Sequence, residues 1–286
     1  MVWGEPSAVN QRRPGGRENS ASVEAALCDR VAAMPRHSKT TIIALAALAS
    51  VISSLLHEGL GHGVTAWLRG DHVTEWTSNH LDDVRPDRLV DAGGTLVNLI
   101  AGFALYFAAR AAGSRANLRY FLWLLAALNL MQAAGYFLFS GALGLGDWAQ
   151  VIAGLPHQSA LRAAMAATGA LLYVVFLRWI VIGLRPFCPS RAEYNATGRL
   201  PYYATCIYMC IAGALDPLGF KLMLLSTIPA YFGGLSGFMW GDIFLRGQPA
   251  PAEVLIVRRS VATEICVALI GLLFLLTVAR GIEFGS

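Results

Sequence analysis

The chain has 286 residues, 56% of them hydrophobic and only 14% charged, with a mean hydropathy of +0.53. These proportions exclude an ordinary soluble domain and a wholly disordered chain, and they fit an integral membrane protein. The net charge of +4 comes from basic residues in short loops between apolar blocks, so it bears on orientation in a lipid bilayer and implies no nucleic-acid partner.

The first 38 residues are polar and rich in Arg, Pro and Gly, as in "GEPSAVNQRRPGGRENS". They predict a disordered leader with one short amphipathic helix at 21–34. No cleavable signal peptide is read there, because the first apolar block starts only near Thr40. That block, 40–68, is long enough for a membrane span, which takes about 20 helical residues. A polar segment, 69–89, follows and alternates around Val73 to Trp76, which suggests a short strand or hairpin at the membrane surface. Further spans are expected at 90–110, 119–142 and 161–184, with a half-length or bent helix at 147–157. Apolar blocks at 202–215 and 217–245 meet at Asp216-Pro217, which reads as a turn or a kink. A last span covers 260–279.

The expected fold is an all-α polytopic membrane protein with six or seven transmembrane helices. Its parts are a leader (1–38), a core (39–157) and additional helices (158–286). Five scattered cysteines without a CxxC pair imply no disulfide framework. Fifteen Lys and Arg residues fall on the leader's side of the alternating spans, against about six on the other. The positive-inside rule therefore places the amino terminus in the cytoplasm.

Chemistry concentrates in "SSLLHEGLGHGVTAWL", residues 53–68, where His57, Glu58 and His62 interrupt the first span. A charged residue near the middle of a span costs roughly 2.5–3.5 kcal/mol and usually has a function or a partner. Zinc-protease helices commonly read H-E-x-x-H, whereas these histidines are five apart. On a regular helix such positions diverge by about 140° and cannot share an ion. Gly59, Gly61 and Gly63 permit a wider turn, and one π-bulge would bring both rings to one face. Zinc needs a third protein ligand. Asp147, at the Gly-rich break "SGALGLGDW", is the attractive choice, although an Asp there also suits a helix N-cap. His72, His80, Asp91 and Asp216 are its competitors. Asp216, Asp242 and Glu264 are further acids that could cap, pair with a base or line a path.

The order of these pieces resembles the site-2 protease family of intramembrane zinc metalloproteases. In that family a HExxH helix precedes a helix with a small-residue-plus-Asn motif, and a later helix carries Asn-Pro and Leu-Asp-Gly. Here Gly93, Gly94 and Asn98 match the first motif, while Asn129, Leu130, Leu145, Gly146 and Asp147 match the second loosely. Gly-Asp stands in place of Asp-Gly, and Pro is absent. The match covers about 40–155. The resemblance implies that His57, His62 and Asp147 hold Zn²⁺, that Glu58 is the general base, and that Asn98 and Asn129 shape the site or engage substrate. It implies a membrane-embedded or membrane-tethered protein substrate and a bacterial inner membrane as the location. It also puts the loop after the His-Glu helix in the cytoplasm, opposite to the charge count. The alternatives are a non-proteolytic metal-binding or regulatory protein of the same architecture, or a transporter. A transporter predicts an inverted repeat, and none is visible.

Overall fold

Every long helix starts from an apolar block, and several starts are fixed by a capping side chain. The computed structural model describes residues 36–285, so the helix expected at 21–34 lies outside the described residues. Among the described residues, six helices are long and apolar enough to cross a membrane: α1 (Lys39–Leu68), α2 (Arg88–Ala111), α3 (Ala116–Leu143), α5 (Gln158–Gly183), α7 (Gly219–Leu245) and α8 (Val261–Arg280). Two shorter ones are α4 (Asp147–Val151) and α6 (Leu200–Ala214). Side chains of Ser38, Asp87 and Ser260 cap α1, α2 and α8 by accepting from backbone N–H groups two or three residues on. The protein is thus an all-α, multi-pass membrane protein.

The helix expected over 147–157 stops at Val151. Gly154 then takes a left-handed φ of 71° and Pro156 follows, so no helix can continue. Asp216-Pro217 is a turn, which settles the boundary between α6 and α7. α6 runs between the two ends of the bundle although it was too short to stand among the six. Near its start, Arg199 bonds Asp242 at the far end of α7, and just past its end Asp216 faces His80 in the polar segment. Over the described residues the chain therefore crosses seven times, and residues 282–283 return to the end that holds the polar segment.

α3 lies at the centre, between α2 and α5, with Trp123, Leu124, Leu128 and Met131 at 2% exposure or less. α8 is peripheral: Ile265, Leu269, Leu272, Leu273 and Leu276 all face outward. An apolar outer face on a long helix is what a lipid environment requires. α7 is irregular, with two π-turns (Met223–Thr227 and Pro229–Gly233) and a 3₁₀ end (Gly241–Leu245). Irregular backbone at membrane depth is tolerated where it lines a cavity, and α7 does so below.

The polar segment forms a hairpin of β1 (Val73–Trp76) and β2 (Leu81–Asp83), in agreement with the alternation there. A third strand, β3 (Ile282–Glu283), pairs antiparallel with β1 to give the order β2-β1-β3. The hairpin lies against α1. The Trp76 ring covers Gly59, and the Leu81 side chain meets Gly63. Ser54 of α1 donates to the Ser78 carbonyl at 3.0 Å.

Two of the acids left open by the sequence have partners away from the His-Glu motif. Asp242 is buried and bonds Arg191 and Arg199. Glu264 accepts from Thr40 and Thr41 at 2.7 Å each.

Candidate metal centre

Within α1, Leu55–Gly63 is wound as a π-helix. Its hydrogen bonds reach five residues along, so residues five apart lie above one another. His57 and His62 consequently share a face, and their Nε2 atoms are 3.3 Å apart. Both rings are buried.

Small residues on α2 make the floor of the site. Gly61 abuts the backbone of Gly93 and Gly94, so a Cβ at 61 or 93 would overlap main-chain atoms. A methyl group at Gly94 would lie 2.5 Å from His62 Nε2 and 2.7 Å from His57 Nε2. This is helix packing through glycine, familiar in membranes, used here to seat two imidazoles.

α2 also orients the rings. The Val90 carbonyl lies 2.7 Å from His62 Nδ1. A carbonyl only accepts, so Nδ1 carries the proton and a neutral His62 turns the lone pair of Nε2 into the site. The Asn98 amide is 3.0 Å from His57 Nδ1. Tyr136 of α3 stacks on the His57 ring, with centroids 4.7 Å apart.

Asp147 arrives from the Gly-rich break. Gly144 and Gly146 take φ of 71° and 82°, which only glycine adopts freely, and they turn the chain back toward α1. Gly146 holds the N-cap position of α4, and the Asp147 carboxylate points inward rather than capping. Its Oδ2 is 3.2 Å from His57 Nε2 and 3.6 Å from His62 Nε2, and this buried oxygen has no satisfying hydrogen bond. A carboxylate facing a lone pair at 3.6 Å calls for positive charge between them. Atoms held by a metal at about 2.0–2.2 Å in tetrahedral geometry are roughly 3.3–3.6 Å apart. The three donors fit that spacing, and together they could hold a metal ion.

Glu58 is 4% exposed and lines a small cavity of about 10 Å³ with His57, Ser78, Gln132, Tyr136 and others. A larger cavity of about 660 Å³ lies between α3, α4 and α7, and Asp147 is on its wall. Asn79, Gln132, Tyr136, Ser226 and Ala230 line both cavities, so the two share a wall.

Asn129 is buried in α3 and donates to the Leu125 carbonyl one turn back, instead of to a member of the triad. Among the competitors, His80 of the hairpin faces Asp216 of the turn between α6 and α7. Tyr136 and Gln132 escaped the sequence reading. Yet Asn129, Gln132 and Tyr136 recur every three or four residues in an apolar span, which marks one helix face.

Fold and site together define a polytopic membrane protein with a buried cluster of two histidines and one carboxylate suited to a divalent metal. The chain matches no protein-family model, no curated protein and no solved structure. Its chemistry is therefore argued from the cluster itself.

Proposed function

We propose that the protein is an intramembrane zinc metalloprotease of the site-2 protease type, hydrolysing peptide bonds of membrane-embedded or membrane-tethered substrates. The observation that carries this reading is the convergence of His57, His62 and Asp147, beside a buried Glu58, inside a membrane span. Two imidazoles and one carboxylate are the three-ligand set of hydrolytic zinc sites. A zinc ion held there would supply Lewis acidity toward a peptide carbonyl and toward water.

The remaining work falls to the chain's own residues. Glu58 is not a ligand in this reading: its carboxylate takes a proton from water and returns it to the leaving amine. The cavity beside it, about 10 Å³, is the size of a single water site. A metal-facing Nε2 on His57 requires the proton on Nδ1, so Asn98 must present its amide oxygen there. Turning the Asn98 amide does this and gives a partner to its otherwise unbonded, buried Oδ1. The cavity of about 660 Å³ is within the usual range for ligand sites, and its mainly apolar wall suits an unwound membrane segment.

Cleavage of a set of single-span transmembrane peptides by purified protein in detergent provides the test, with zinc measured in the same samples. Wild type should cleave, a chelator should stop cleavage, and added zinc should restore it. Glu58→Gln should keep its zinc and lose at least about 10²-fold in rate, the scale of general-base catalysis. Cleavage by Glu58→Gln at the wild-type rate would remove the assigned base. A zinc-loaded wild type that cleaves nothing would leave a metal-binding protein without protease activity as the better reading.

A further inference from the structure

A second set of ligand-type side chains gathers on the hairpin, on residues that the first cluster does not use. Glu75 stands opposite Asp82 across β1 and β2, and opposite Glu283 across β1 and β3. Opposed residues share a face of the sheet, and like charges placed that way repel. One imidazole meets this row: His80 Nε2 is 3.5 Å from Glu75 Oε2 and 4.0 Å from Asp82 Oδ2.

The other ring nitrogen tells where the proton is. The Thr77 hydroxyl accepts from the backbone N–H groups of Asn79 and His80 and donates to the His80 carbonyl at 3.2 Å. Asp216, whose side chain is fully buried, brings Oδ2 to 3.4 Å from Nδ1, and that oxygen has no satisfying hydrogen bond. A carboxylate only accepts, so Asp216 keeps a proton on Nδ1. The lone pair of Nε2 then points at two carboxylates, and only a positive charge reconciles the three. A proton on Nε2 would draw a partner to about 2.7–3.2 Å. The Glu75 oxygen, at 3.5 Å, lies at the separation of atoms around a cation, and the exposed Asp82 carboxylate stands 4.0 Å away. Asp216 behind the ring completes the carboxylate–histidine–metal order that orients metal-binding imidazoles.

We propose that Glu75, His80 and Asp82 bind a divalent cation of the zinc or manganese type, with Asp216 orienting His80. The imidazole ligand disfavours calcium and magnesium, which prefer all-oxygen sites. The bound ion ties the hairpin to the turn before α7, above the π-helix of α1. Without it a proton takes the place on Nε2: burial opposes the charged ring, but Asp216, Asp82 and Glu75 outweigh burial and raise its pKa to about 9.

Manganese binding by the full chain in detergent, counted from the loss of the free-ion electron paramagnetic resonance signal, tests this site. The H57A/H62A background removes the first cluster, so the outcome does not depend on the protease reading. That variant should bind one manganese per chain, and the ion should raise its Tm by about 2–4 °C. Adding E75Q and D82N should abolish both effects. The site is overturned by H57A/H62A binding no manganese, or by binding that persists after E75Q and D82N.

Discussion

Gly94 carries the strictest steric demand in the site. A single added methyl would meet both imidazole Nε2 positions at 2.5–2.7 Å, where neither ring can retreat from its anchor on α2. Gly94→Ala should therefore cost about 1–3 kcal/mol by overpacking and lower the zinc content. A thermal melt and a metal assay on the purified variant measure both, and unchanged zinc at unchanged Tm would contradict the seating described. At this scale the sequence was informative where a residue broke the local pattern. His57, Glu58 and His62 stand out because charge is costly in a span, and Asp147 because glycines surround it. The Val90 carbonyl could not be foreseen, since every residue carries one. Nor could Asn129 be told from Asn98: each is a lone amide in an apolar helix, and only packing decides which reaches a histidine.

Among the elements, the π-helix Leu55–Gly63 does most to create the site. Deleting Leu60 restores the four-residue spacing of the common motif, which by motif alone would make a better zinc site. The structure predicts the reverse. Removing one residue turns everything beyond it by about 100° relative to the start of α1. Gly61 then leaves its contact with Gly93 and Gly94, and Trp76 and Leu81 lose their seats on Gly59 and Gly63. The deletion should lose zinc and melt several degrees lower, as read by metal assay and calorimetry; full zinc occupancy would show that the wide turn is dispensable. The wide turn was legible from three glycines between two histidines. The hairpin was legible from alternation over Val73–Trp76. β3 was not, because two residues give no periodicity and its partner is some two hundred positions away in the chain.

At the scale of the molecule, seven crossings set the two ends of the described chain on opposite sides. The hairpin, the turn at Asp216 and β3 share one side, while Ser38, Asp242 and the segment around Val257 share the other. The charge count assigns the second side to the cytoplasm. Cysteines introduced at the exposed Val84 and Leu218 should then react with an impermeant maleimide from outside intact cells, and one at the exposed Ala250 only after permeabilisation. The opposite pattern would favour the orientation implied by the family resemblance. The apolar blocks made the number of helices nearly legible. What remained open was one junction, Asp216-Pro217, because a proline both bends helices and ends them, and the contact with His80 that decides between these is remote in sequence.

The central claim is that His57, His62 and Asp147 ligate one zinc. Zinc K-edge X-ray absorption of the purified protein, with total zinc counted in parallel, tests it most directly. To keep the hairpin cluster from contributing, the measurement belongs on the E75Q/D82N variant. The account predicts close to one zinc per chain, a shell of nitrogen and oxygen at about 2.0–2.2 Å with two imidazoles and no sulfur, and loss of most of that zinc in each of H57A, H62A and D147A. Full occupancy with an unchanged spectrum in D147A, or in either histidine variant, would contradict it.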